Sequence, residues 1–227
     1  MTALQFAHQA VLKSLSKPVV LIASSQAQAE RLYRDVRFLL GEQSNLAWLL
    51  LAEDRTPYQA TSPDPLWMMD QLACLQKLVS GVSFRVLILS PEMLATKILS
   101  SKVLQDEVQF LSRGSSIGRD ILVNKLIHAG YTQVTQVEDA GTYSVRGSIV
   151  DFFWPGDAYP IRVDLFGDEI ERLYYFDAST QKKVQDIEDC QFGLVRQIVL
   201  SDQNIGRAIS RLRDLADDLE YPTVKLK

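Results

Sequence analysis

Three short segments, PVVLIAS, LAWLLLA and FRVLILS, stay apolar through their centres with no polar alternation. A strand that shows one face to water alternates with period two, so strands lacking that alternation are expected to be covered on both faces. The stretches between them carry helical period instead. In AQAERLYRDVRFLLG the residues Leu32, Val36 and Leu39, with Leu40, share one stripe. Ser25 and Gln28 have capping-box spacing, and Gly41 stands where the helix is expected to end. PLWMMDQLACLQKLV reads as a second helix, and TALQFAHQAVLKSL, with Thr2 and Gln5 at capping spacing, as one preceding the first strand. Buried strands alternating with helices require a parallel sheet with helices packed on it. Residues 1–103 are expected to form such a layer, broken by EDRTPYQATSPDP, whose three prolines exclude regular structure.

The pattern changes after Val103. VQFLS reads as a strand and IGRDILVNKLIHAG as a helix closed by Gly130; strands then follow one another with few helical signals. Residues 104–189 are therefore expected to be an α+β unit. QIVLSDQ and NIGRAISRLRDLADDLE return to strand and helix, so residues 190–227 are expected to rejoin the first layer, with the α+β unit inserted into it. The layer breaks off soon after one helix, earlier than a complete layer would.

Several kinds of chemistry are disfavoured by composition and spacing. A P-loop needs glycines so that backbone amides can surround phosphates, and a lysine to reach them. Residues 1–40 contain no glycine, and SSQAQAE occupies the place of the loop. The expected fold is thus a degenerate RecA- or Rossmann-like parallel layer with an inserted α+β domain. GDEI at 167–170 is expected to be a polar turn, and DDLE the solvated face of a helix. The two histidines, His8 and His128, form no triad, and His128 suits the C-terminal turn of a helix. Cys74 and Cys190 have no CxxC pattern; Cys74 is expected to be a buried helix residue. No catalytic residue, cofactor or metal site is expected. A formal charge of −4 opposes broad DNA binding, which needs a basic surface. No segment has the length or character of a membrane span or secretion signal, so a reducing cytoplasm is the expected compartment.

The stretch SVRGSIVDFFWPGDAYPIRVDLFGDEIERLYYF interrupts its apolar pattern with arginines. In PIRVDLF, Ile161, Val163 and Leu165 point one way and Arg162, Asp164 and Phe166 the other. Read as one strand, SVRGSIVDFF sets Val145, Ile149 and Phe153 against Arg146, Ser148 and Val150. WPGDAYP is the turn between the strands. A register pairing residues of equal parity would place Arg146 near Phe166 and Arg162 near Val150; an odd register would separate the arginines. The sharing of a face by Arg162 and Phe166 holds in either case. That face is either a solvated one with an incidental phenylalanine or a protein-binding hot spot, since Arg and Phe are hot-spot residue types.

GTYSVRGSIVDFFWPGDAYPIRVDLFGDEIERLYYFDASTQKKV resembles the signature shared by UvrB and the N-terminal module of bacterial transcription-repair coupling factors (Mfd). The shared form is an S/T-x-R-G strand, a Pro-Gly turn, x-R-x-[DE]-F/L-F-x-D-E-I and F-D-x-x-[ST]-Q. TPYQATSPDPLWMMDQLACLQKL and LILSPEMLATKILS are similar to the coupling-factor module more loosely. The missing P-loop glycines and the short proline-rich link separate the chain from UvrB. The resemblance implies a UvrB domain 2-like insertion that binds UvrA, with Arg146, Arg162 and Phe166 at the interface and Asp164 beside them. It implies no catalysis by this chain and little direct DNA binding; further coupling-factor domains would accompany it in a longer protein. Trp154 departs from the smaller residue usual before Pro155. Two other readings remain open from the residues: a UvrB-like helicase fragment keeping a degenerate nucleotide site, and a standalone DNA-binding repair protein.

Overall fold

The computed structural model describes residues 17–52, 65–197 and 202–219. The expected N-terminal helix, the proline-rich link and the centre of the expected strand QIVLSDQ lie outside the described residues. The chain divides into two compact units. One comprises Met1–Phe110, Trp154–Ala158 and Gln191–Gly193; the other comprises Leu111–Phe153, Tyr159–Cys190 and Leu194–Lys227. The fold is mixed α/β, with both parallel and antiparallel sheets.

In the first unit β1 (Val19–Ile22), β2 (Ala47–Leu50) and β3 (Val86–Leu89) form a three-stranded sheet in the order β1-β3-β2. Both pairings are parallel, with Val19 and Ala47 flanking Val86. Helix α1 (Gln26–Leu40) follows β1, and its Ala29, Val36 and Leu40 pack on Ala47, Val86 and Ile88. Burying each of the larger of these side chains contributes about 1.5–3 kcal/mol. The Ser25 cap forms as its spacing predicts, and only the return bond from Gln28 reaches one residue further back. Ser25 Oγ accepts from the Gln28 N–H at 3.3 Å, while Gln28 Oε1 accepts from the Ser24 N–H at 2.6 Å. Gly41 ends the helix at φ +60, as its position requires.

Strands β2 and β3 are covered as their apolar runs demand, but β1 is not. Val20 is 52% exposed and Ile22 59%. Helix α2 (Pro65–Val79) packs over β2, whereas among the described residues the Val20 and Ile22 side of β1 stays open. Within α2, Gln71 to Gln76 are all buried, which explains why its sequence shows no clear stripe. Cys74 lies there as expected, and burial pushes its thiol up to about 12. Two short helices follow β3: α3 (Pro91–Ala95) and α4 (Ser101–Asp106), the latter capped by Ser100. Trp154 gives the Pro155–Gly156 turn an aromatic lid: a Cβ added at Gly156 would clash with its ring. Lys77 donates to the Gly156 carbonyl.

The second unit is built on a six-stranded sheet. Its strands are β5 (Thr132–Gln133), β6 (Thr142–Arg146), β7 (Ile149–Phe152), β8 (Ile161–Phe166), β9 (Glu169–Phe176) and β10 (Lys183–Asp186), in spatial order β10-β9-β8-β7-β6-β5. β5 and β6 are parallel; the rest form an antiparallel meander. Tyr143, Val150, Phe152, Ile161, Val163 and Leu173 are buried, as are Leu122 and Leu126 of α5 (Arg119–Ala129). Gly130 ends α5 in the left-handed conformation, φ +95, with His128 in the last turn. Strands β4 (Gln109–Ser112) and β11 (Asp189–Phe192) pair separately, and α6 (Asp202–Asp218) follows.

Two expectations about the arginine-bearing strands need correction. Residues 144–153 are not one strand: β6 and β7 form a hairpin closed by Gly147 and Ser148, with Arg146 opposite Ile149. Gly147 takes φ +62 at the first central position, where a type II′ turn requires glycine. The β7–β8 register is also odd, since Asp151 opposes Arg162 and Val150 opposes Val163. An odd register was expected to separate the arginines. The hairpin reverses the parity a second time, so Arg146 and Arg162 share a face after all.

Candidate protein-interaction surface

The register fixes the polar face of the sheet row by row. Ser144, Asp151, Arg162 and Tyr174 form one row across β6 to β9; Arg146, Ile149, Asp164 and Arg172 form the next. Phe166 ends β8 on the same face, opposite Glu169 across a second two-residue turn. Gly167, at φ +63, closes that turn, so GDEI is a hairpin tip leading into β9.

Asp151 organises these rows. It is a carboxylate within the apolar run SIVDFF, fully buried, and both its oxygens are engaged. Arg162 Nε donates to Oδ1 at 2.6 Å and Nη2 to Oδ2 at 2.8 Å. Arg146 Nη2 donates to the same Oδ2 at 2.7 Å. A forked guanidinium matches a carboxylate in both geometry and charge, which is why Arg rather than Lys suits the Arg162 position. Hydrogen bonding to Asp151 raises the Arg162 guanidinium above its ordinary range.

The F-D-x-x-[ST]-Q residues hold Arg162 from the other side. Its guanidinium lies 4.5 Å from the Phe176 ring centroid, a cation–π contact. Its Nη2 also donates to Gln181 Oε1 at 3.2 Å. Gln181 is itself pinned, at φ +58, by bonds from its amide nitrogen to the carbonyls of Ala178 and Val137. The turn that delivers it is closed by Asp177. Its Oδ1 accepts from the Ser179 hydroxyl and from the Thr180 N–H and hydroxyl, holding the carboxyl down at about 2.

The four predicted site residues therefore lie on one face but differ in access. Phe166 is 78% exposed, and the Arg146 side chain 48%. Asp164 is half-buried, with Ser148 Oγ 3.4 Å from its Oδ1. The Arg162 side chain is only 12% exposed, against the expectation of an open one. Its pairing with Asp151 and its seat on Phe176 cover it. The face thus combines an apolar anchor, Phe166, with a half-exposed cation, Arg146. Such a face is suited to binding a protein.

Residues 110–193, which contain every residue of the face, match the family model described as the UvrB interaction domain. The chain is 34% identical over 218 residues to a transcription-repair-coupling factor of Myxococcus xanthus, a span of 94% of this chain and 18% of the relative. The chain carries a UvrB interaction domain and is related to the transcription-repair-coupling factors. A second relative with that description, from Escherichia coli (strain K12), is 32% identical over 75% of this chain and 14% of its own length. A third, from Bacillus subtilis (strain 168), is 22% identical over 89% and 17%. The chain spans under a fifth of the length of the curated relatives it matches.

Within the UvrB interaction domain the residue that sequence reasoning passed over is Asp151. Its signal was present: a single acid in an otherwise apolar strand must find a cation or be very costly to bury. Treating residues 144–153 as one strand hid which cations could reach it. Gln181 was quoted in the motif, but no role could be given to it from pattern alone.

Proposed function

We propose that this chain is a non-catalytic protein-binding module that recruits UvrA in transcription-coupled nucleotide excision repair, acting as the N-terminal part of a coupling factor. The observation that carries the reading is the face bearing Arg146 and Phe166 on the UvrB interaction domain, with Asp164 and Arg162 beside them. UvrA enters as the partner through the signature shared by UvrB and the coupling factors, on which these residues fall. In this reading residues 104–189 are the insertion that meets UvrA, and residues 1–103 belong to a RecA-like layer that carries it. The acidic balance fits a chain that grips protein rather than DNA. The protein works in the cytoplasm, where its partner and the stalled polymerase meet.

The test is retention of UvrA on the immobilised chain. Wild type is expected to retain it and the double variant Arg146→Ala, Phe166→Ala to lose it, with unchanged circular dichroism. Equal retention by both would refute the reading.

A further inference from the structure

Arg146 and Arg162 both fall in the signature stretch, yet the geometry gives them different positions relative to the surface. Asp151 is shared between them: two guanidinium groups meet one carboxylate, which leaves this triad one positive charge in excess. Arg162 uses Nε and Nη2 on Asp151, reaches Gln181, covers Phe176 and is almost enclosed. Arg146 gives Asp151 one nitrogen, Nη2, and is half exposed at the end of β6. The excess charge is therefore presented by Arg146. Along the face, Asp164 is engaged by Ser148 and stands directly opposite Arg172, so it does not compensate Arg146 alone. Phe166 lies two residues beyond Asp164 on the same face.

We infer that Arg146 takes a carboxylate of the partner while Phe166 enters an apolar site on it, and that Arg162 is a positioning residue acting through Asp151. The inference rests on the UvrA reading and deepens it by naming the partner's chemistry: an acidic side chain beside an apolar pocket. A carboxylate is the group that a guanidinium with donors left over accommodates best, because a charged acceptor makes the stronger hydrogen bonds. Asp151 holds Arg146 ready without saturating it. Removing Asp151 frees the Arg146 side chain to sample other rotamers, so the cost in affinity passes through Arg146.

A double-mutant cycle on the full chain tests the division of labour, with affinity for purified UvrA read by calorimetry and folding by thermal denaturation. The variants are Arg146→Ala, Arg162→Lys, Asp151→Asn and each of the latter two combined with Arg146→Ala. Arg146→Ala is expected to weaken binding about tenfold with little change in melting temperature. Arg162→Lys and Asp151→Asn are expected to lower the melting temperature and to weaken binding about threefold or more in the parent. In the Arg146→Ala background each is expected to change affinity less than about twofold. An Arg162→Lys loss of equal size in both backgrounds would show that Arg162 meets the partner itself and would overturn the positioning role alone. An absence of binding by wild type would overturn the UvrA reading together with this refinement. Carboxylate chemistry is checked by Arg146→Lys, which is expected to recover part of the affinity; recovery by Arg146→Gln to the same level would contradict it.

Discussion

Arg162 and Asp151 face each other across β8 and β7 in a forked pair, 2.6 Å and 2.8 Å, with the carboxylate fully buried and the guanidinium nearly so. A pair of this kind gives little net stability when intact, because two charges have been taken out of water. Its importance appears when one partner is removed. Asp151→Ala leaves Arg162 without its counter-charge, and Arg162→Ala leaves a buried carboxylate held by Arg146 alone. Each is expected to cost about 3–5 kcal/mol in denaturant unfolding.

Arg146→Ala offers the contrast. Its side chain is half exposed and makes one bond to Asp151, so solvent screens most of what it contributes. The expected loss of stability is within about 1 kcal/mol. A loss as large as that of Arg162→Ala would mean that the two arginines are structurally equivalent.

Gly147 holds the hairpin that brings Arg146 to the Asp151 side. It has open space where a Cβ would go, but its φ of +62 is strained for any side chain. Gly147→Ala is expected to destabilise by about 1 kcal/mol or more, with no packing defect to relieve. Unfolding midpoints of Gly147→Ala and Gly147→Asn separate the causes, since Asn tolerates positive φ better and is expected to lose less.

The Asp177 turn predicts a specific acid sensitivity. Its carboxyl ionises at about 2 when folded, against 3.8 ordinarily, because the Ser179 hydroxyl and the Thr180 N–H and hydroxyl all donate to it. A depressed folded value means that the contribution is fully present above the unfolded pKa and is lost as pH falls through the folded one. The window therefore runs from about pH 4 down to about pH 2. Asp177→Asn is expected to lack this part of the acid dependence of the melting temperature; an unchanged acid limb would rule out the turn as its source.

Much of the fold could be read from the chain because burial leaves a direct trace in sequence. The apolar runs of β2 and β3 and the capped stripe of α1 could be placed before any coordinates. β1 departs from this among the described residues, because an apolar run shows what a strand can bury, whereas its actual cover depends on which helices pack over it. Alternation along β8 placed Arg162 and Phe166 together, and that is the part of the site that local geometry determines. Whether Arg146 joins them depends on a two-residue turn and a cross-strand register, which are non-local and reverse parity twice. For the same reason the enclosure of Arg162 was illegible. It follows from Asp151 on a neighbouring strand, Phe176 on another and Gln181 from a distant turn.

The most direct measurement is the affinity of purified UvrA for the full chain and for its Phe166→Ala variant, by calorimetry. Phe166 is 78% exposed and pairs with Glu169 at a strand end, so its removal leaves the folded chain intact. Wild type is expected to bind, and Phe166→Ala to bind with a loss of about 2 kcal/mol, roughly thirtyfold, at an unchanged melting temperature. Binding of the variant at the wild-type affinity would contradict the account.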